Sequence, residues 1–199
     1  DFCLSRGLGD VYKRQETYFF NIHFLEGQKL IADLVSTLGL SGESLNFFRS
    51  TVLSFTPLIT LLKDKEGIGI YMDSESPFFR FKFEANYQGL LRSLLLPDNF
   101  TSLPTHYTGI LRLIKTIESS SPYTSLVEIQ NQDLKSIVNS VLQDSYQFDA
   151  AVLISESSDQ SLIINKFPVS RVTNPKINLS AKEYILKFQS EFNLSLIHI

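Results

Sequence analysis

The sequence predicts an α+β fold, with mainly antiparallel strands in layered sheets packed against helices. Three observations carry this. Short alternating segments at 68–72, 78–85, 90–96 and 110–117 follow one another with turns or one loop between them. Two stretches before them and one after them repeat apolar residues at helical spacing. Runs of hairpin-linked strands flanked by helices fit an α+β arrangement, not a doubly wound parallel sheet.

Residues 18–24 alternate weakly and read as an edge strand or one exchanged with a partner. Gln28–Leu38 reads as a helix with Leu30, Ile31, Leu34, Val35 and Leu38 on one face, and Gly39 stops it. Ser41 or Ser44 can start a second helix. Its stripe is Leu45, Phe48, Val52, Phe55, Ile59 and Leu62. Pro57 lies inside that stripe. Proline lacks the N–H a helix needs, so a kink or break is expected near Thr56.

The four strands come next. Asp73, Ser74, Glu75, Ser76 and Pro77 are expected to form a turn between the first two. Phe79, Phe81 and Phe83 oppose Arg80, Lys82 and Glu84, which gives one apolar face and one charged face. Residues 97–104 read as a loop.

Residues 123–154 form the organising unit: strand, amphipathic helix, polar corner, strand. Tyr123, Ser125, Val127 and Ile129 share one side of the first strand. Asn131 is a candidate helix cap. Leu134, Ile137, Val138, Val141 and Leu142 make the helical stripe, and Ala150–Ile154 is the strand that leaves the corner. Residues 161–167 give a last strand, and 173–175 a domain edge. Ser180 can cap a final helix with Tyr184, Ile185 and Phe188 on its apolar side.

The two ends read differently. Residues 5–15, SRGLGDVYKRQ, match the translation of a common sequencing-library adapter. Residues 194–199, LSLIHI, match the reverse complement of its transposon end. Segments 1–15 and 194–199 are therefore expected to be scars, outside the fold. The expected organisation is a single core domain over 16–172 and the start of a helical linker over 173–193.

The formal net charge is −3. With no basic block, nucleic acid finds no electrostatic footprint. The one cysteine, Cys3, lies beside the adapter-like stretch, so the body offers no disulfide and no thiolate metal site. No apolar run approaches a membrane span. Outside the ends the histidines are His23 and His106, without metal-ligand spacing. Gly67 and Gly69 lack the third glycine and the following helix of a dinucleotide fingerprint. Ser119–Ser121 and Ser155–Ser158 read as turns. Asp73 and Glu75 read as solvated carboxylates. No catalytic residue and no bound cofactor are expected.

The unit at 123–154 also resembles the core domain of the heat-shock protein 33 family, the redox-regulated holdase chaperones of the bacterial cytosol. There a strand beginning with tyrosine leads to a helix, a Ser-Glu-Gln corner and an apolar strand. Here Tyr123 begins the strand and the corner is Ser145, Tyr146, Gln147, so the central Glu is absent. The family turn Gly-Asp-Gly-Pro corresponds to Ser74, Glu75, Ser76, Pro77, which keeps an acid and the proline and loses both glycines. Gly89 falls where the family has a glycine, and Pro168 matches the proline that closes the core. Asp159 and Gln160 replace a glycine pair. The resemblance spans roughly 22–169.

The resemblance implies an ATP-independent, cytoplasmic stress-response chaperone that binds partly unfolded client proteins as a homodimer. It implies no nucleic-acid or membrane partner. It also implies zinc, held by four cysteines in a C-terminal module that switches activity on oxidation. None of those cysteines is in this sequence. The competing expectations are a diverged interaction or scaffold module without the switch and, more distantly, a hydrolase using His106.

Overall fold

The structure is a computed structural model. It describes residues 20–102, 105–155, 158–166 and 179–187, and the backbone of 11–15. The elements run β1 (Val11–Gln15), β2 (Phe20–Glu26), α1 (Gln28–Leu38), α2 (Gly42–Phe55), a 3-10 segment (Thr56–Leu61), β3 (Glu66–Ser76), β4 (Phe78–Asn86), β5 (Leu91–Leu96), β6 (Tyr107–Ile117) and β7 (Tyr123–Gln132). They continue with α3 (Leu134–Ser140), a π-helical turn (Val141–Ser145), β8 (Ala150–Ile154) and β9 (Gln160–Lys166). Residues 181–187 form a last helix, α4.

Two sheets result. One has the order β1-β2-β9-β8 and the other β5-β4-β3-β6-β7. Every pairing is antiparallel. The fold is α+β, as the alternating segments predict.

The main core lies between the sheets. Ile70, Met72, Phe79, Phe81, Phe83, Leu111 and Leu113 point inward from the larger sheet, and Leu25, Val152 and Ile163 from the smaller one. Helix α2 sits between them. Phe47, Phe48, Val52, Leu53 and Phe55 are all buried, on more than the one face its stripe marks, because a helix sandwiched by sheets is covered nearly all round. The Phe47 and Phe79 rings meet at 4.8 Å, and Phe79 stands perpendicular to Tyr107 at 5.4 Å. Burying one such side chain stabilises by about 1.5–3 kcal/mol. An exposed ion pair such as Arg80–Asp73 gives about 0–1 kcal/mol, so the aromatic layer dominates.

Helix α1 has the predicted limits, and Gly39 adopts the left-handed conformation (φ 68°) while its N–H donates to the Val35 carbonyl. At Thr56 the chain changes from α to 3-10 helix, with Pro57 in the first turn. That is the expected break. Ser161 donates through Oγ to the Leu53 carbonyl at 2.8 Å, which ties β9 to α2.

The far face of the smaller sheet carries a second cluster: Phe20, Phe24, Ala151, Leu153, Leu162 and Ile164. Helix α4 covers it with Ala181, Tyr184 and Ile185. Ser180 starts α4 as expected. Its Oγ donates to Glu183 at 2.9 Å, and Asp149 Oδ1 accepts from the Ala181 N–H at 2.8 Å.

Four expectations need correction. Residues 11–15, assigned to a scar outside the fold, pair with β2 from Val11 opposite Leu25 to Gln15 opposite Asn21. Residues 20–26 consequently lie between β1 and β9, inside the sheet rather than at its edge. Asp73–Ser76 belong to β3, and the reversal is confined to Pro77, because pairing with β4 and β6 holds the strand extended. The cap of α3 is Asp133, whose Oδ1 accepts from the Ser136 N–H at 2.7 Å. Asn131 stays in β7 at φ 50°, and its N–H donates to Thr108 Oγ1. The domain edge at 173–175, Phe188 and the segment 194–199 lie outside the described residues.

Candidate functional site

Among the described residues, the larger sheet has helices on one face only. The period-two alternation that buries Phe79, Phe81 and Phe83 turns Phe78, Arg80, Lys82 and Glu84 outward. The same parity turns out Leu96 opposite Arg80, Ile110 opposite Asp73, and Leu126 opposite Arg112. Leu90 flanks this face at the turn between β4 and β5. Leu90 and Leu126 are each 68% exposed and Phe78 65%, and Leu96 and Ile110 are exposed as well. No other face of the described residues gathers so many large apolar side chains.

Several charges on this face are paired with one another. Asp73 forms an ion pair with Arg80 at 3.3 Å and lies 4.0 Å from Arg112. Arg112 stands over the Tyr71 ring, 5.8 Å from its centroid. Glu84 accepts from the Tyr71 hydroxyl and from Arg92. The Tyr71 bond, with help from Arg92, holds the Glu84 carboxyl below its ordinary range against the opposing effect of burial. Burial, then Glu84, push the Tyr71 phenol up. Paired in this way, the ions separate the aliphatic side chains without covering them.

A cavity of about 490 Å3 opens on the same face, lined among others by Gly67, Gly69, Tyr71, Glu84, Leu90 and Ile114. The two glycines hold alternate outward positions on β3. A Cβ at Gly69 would stand 2.8 Å from the Tyr71 ring, so the bare strand lets that ring fold back over it. The sequence marked β4 by its alternation, but not this surface. In β5, LRSLLL, apolar residues occupy both parities. β6, with Ile110 beside Leu111, and β7, with Leu126 beside Val127, show the same mixing.

The residues singled out by the family resemblance do not converge. Pro77 is exposed at the β3–β4 reversal. Gly89 has φ 80° in the β4–β5 turn, where its N–H donates to the Asn86 carbonyl. Tyr123 is exposed at the start of β7. Ser145 closes the π turn, and its Oγ meets Ser125 Oγ at 2.9 Å, which fixes the corner to β7. Gln147 follows at φ 54°. Pro168 lies outside the described residues. Tyr146, at the position of the family's Glu, is driven upward in pKa by burial and by Glu66, and its buried hydroxyl has no partner in the structure.

His106 is exposed, with Nδ1 3.2 Å from Thr105 Oγ1. The nearby Asp133 is engaged as a helix cap, and the bonds from Ser136 hold its carboxyl below its ordinary range. Asp73 and Glu75 lie on β3, not on a turn. Among the described residues no three His, Cys, Asp or Glu side chains come together as a metal site, so the residues present do not fit zinc. No helix among them is long and apolar enough to cross a membrane.

Two antiparallel sheets around a helical layer, with an apolar outer face on the larger sheet, define an α+β domain of the chaperone core type. The chain belongs to the Hsp33 family: the model described as Hsp33 protein matches residues 16–182. Its fold is similar to the crystal structure of the 33 kDa chaperonin, heat shock protein 33 homolog, of Thermotoga maritima. The TM-score is 0.67 at 13% identity, over 91% of this chain and 70% of that one. None of the curated proteins compared with the chain matches it. At the level of the family the role is chaperone-like and not enzymatic.

Proposed function

We propose that this domain is an ATP-independent holdase core that binds partly unfolded proteins on the outer face of the β5-β4-β3-β6-β7 sheet. The observation that carries this reading is the grouping of Phe78, Leu90, Leu96, Ile110 and Leu126 on one face that no helix among the described residues covers. Exposed apolar side chains gathered on one sheet face, even with ion pairs between them, offer an interaction surface. Unfolding proteins present complementary apolar segments, and no chemical step is needed to hold them. The proposal includes a cytoplasmic setting and a homodimer, both carried by family membership. The redox switch is not part of it, since the sequence holds one cysteine, Cys3.

Light scattering of a heat-unfolding client tests the reading. The protein is expected to suppress scattering without nucleotide, and Leu90→Ser with Leu126→Ser is expected to weaken suppression while leaving the unfolding temperature in place. A folded protein that does not suppress would favour the alternative, a diverged interaction module. The losses at Ser74, Ser76 and Tyr146 relative to the family pattern favour that alternative.

A further inference from the structure

We infer that the cavity over Gly67 and Gly69 anchors one kind of client segment: an extended stretch with a bulky apolar side chain and a carboxylate two residues away on the same side. As a statement about clients, this rests on the holdase reading and names the chemistry that reading leaves open. The floor of the cavity is bare main chain. Gly67 lies between Asn86 on β4 and Thr116 on β6, and Gly69 between Glu84 and Ile114. A side chain at either outward position would fill the space. With glycine it stays open to about 490 Å3, and Leu90 and Ile114 give it apolar walls. Thr116 leans over the floor, since a Cβ at Gly67 would stand 2.6 Å from its Oγ1. That volume and lining suit a leucine, phenylalanine or tryptophan side chain.

Charge beside the cavity sets the second requirement. The next outward position on β3 is Tyr71, with Lys82 opposite it on β4 and Arg112 on β6. This cross-strand row ends in Leu94 and Leu126, so it carries two cations and no carboxylate. In a chain of net charge −3 it is a locally positive strip. Arg112 is placed over the Tyr71 ring, 5.8 Å from its centroid. The carboxylates on the adjoining rows are engaged, Glu84 with the Tyr71 hydroxyl and Arg92, and Asp73 with Arg80. Glu128 stands two strands from Asp73, across Ile110. The spacing follows from strand geometry. An extended chain puts every second side chain on one side, at a rise of about 6.6–6.8 Å. Gly69 and Tyr71 are also two residues apart on an extended strand. A client stretch lying along β3 with its apolar side chain in the cavity therefore carries the side chain two residues on to the Tyr71 row, between Lys82 and Arg112. A carboxylate there gains two cations, whereas a lysine meets repulsion.

Fluorescence anisotropy with labelled peptides of one host sequence tests the inference on the full chain. Three peptides have a central phenylalanine and, two residues on, glutamate, glutamine or lysine. A fourth has glutamate next to the phenylalanine instead. The unaltered protein is expected to bind the first at least about threefold more tightly than the glutamine and shifted peptides, and at least about tenfold more tightly than the lysine peptide. Lys82→Gln with Arg112→Gln, both on exposed outward positions, is expected to bring the glutamate and glutamine peptides within about twofold. Thr116→Trp, which covers the glycine floor from an exposed position, is expected to weaken the glutamate peptide at least about tenfold. Equal binding of the glutamate and glutamine peptides by the unaltered protein, a preference that survives loss of both cations, or full binding by Thr116→Trp would overturn the inference. Sodium chloride checks the same contacts without any substitution. Raising it is expected to erase the glutamate preference and leave the glutamine peptide's affinity in place, and a preference insensitive to salt would count against the cations. Equal peptide binding by a protein that suppresses client scattering removes the anchor and leaves the holdase reading. The expected peptide pattern in a protein that does not suppress supports the anchor and removes only the client reading.

Discussion

Lys115 reaches Glu66 at 2.9 Å across the inner face of the larger sheet, beneath the π turn. The same carboxylate accepts from the Lys63 N–H at 2.8 Å. Burial raises the Glu66 pKa, but these two donors outweigh it and leave the carboxyl below its ordinary value of 4.5. A group depressed in the folded state stabilises fully above its unfolded pKa, and that contribution is lost as pH falls through the folded value. The urea midpoint is expected to drop below about pH 4.5 in the unaltered protein and to drop less in Glu66→Gln. At pH 7 Glu66→Gln is expected to cost about 1–3 kcal/mol, since a charge-assisted bond to a half-buried lysine is removed. A variant with the same acid dependence as the parent would show that Glu66 is not the group responsible.

The helix stripe of the central unit was legible in the sequence, and a second prediction follows from it. Ile137, Val138 and Val141 are buried, and Leu134 is half-buried against the same core. Val138→Asp places an unpaired carboxylate in that core and is expected to cost more than about 3 kcal/mol. Lys135→Asp on the exposed side of the same helix is expected to stay within about 0.5 kcal/mol. Equal losses in denaturant melts would contradict the orientation of α3.

What was not legible depends on contacts distant in sequence. Asn131 has the chemistry of a cap, but the chain reaches the helix two residues later because Thr108 on β6 engages its N–H. Local pattern cannot report that register. Asp73–Ser76 have turn composition and are drawn into β3 by partners on both sides. The π turn leaves no periodic signature. It is seen only as the Tyr146 N–H donating to the Val141 carbonyl, five residues back. The two faces of β4 were legible in its alternation, but the apolar outer face was not, because its members come from separate strands and the turn at Leu90.

Gly109 gives a third prediction. It lies in β6 where the pairing with β3 shifts register, and a Cβ there would stand 2.2 Å from the Asp73 carbonyl oxygen. The obstacle is backbone, which cannot swing aside as a side-chain tip can. Gly109→Ala is expected to cost about 1–3 kcal/mol by overpacking, read as a lowered urea midpoint. A neutral substitution would mean that the two strands separate more easily than their pairing implies.

The corner supplies a fourth. Ser145→Ala removes the hydroxyl contact with Ser125 and is expected to cost about 0.5–1.5 kcal/mol. In a double-mutant cycle with Ser125→Ala, the second loss is expected to be smaller than the first, because the partner hydroxyl is already gone. Additive losses would show that the two hydroxyls act separately.

The central claim is that the apolar outer face holds unfolding clients without chemistry or a thiol switch. Scattering from a heat-unfolding client measures it most directly, with the unaltered protein, with Leu90→Ser and Leu126→Ser together, and with Cys3→Ser. The account predicts suppression by the unaltered protein and by Cys3→Ser, unchanged by peroxide or reductant, and weak suppression by the paired leucine variant at an unaltered melting temperature. Full suppression by the paired leucine variant, or suppression that appears only after peroxide, would contradict it.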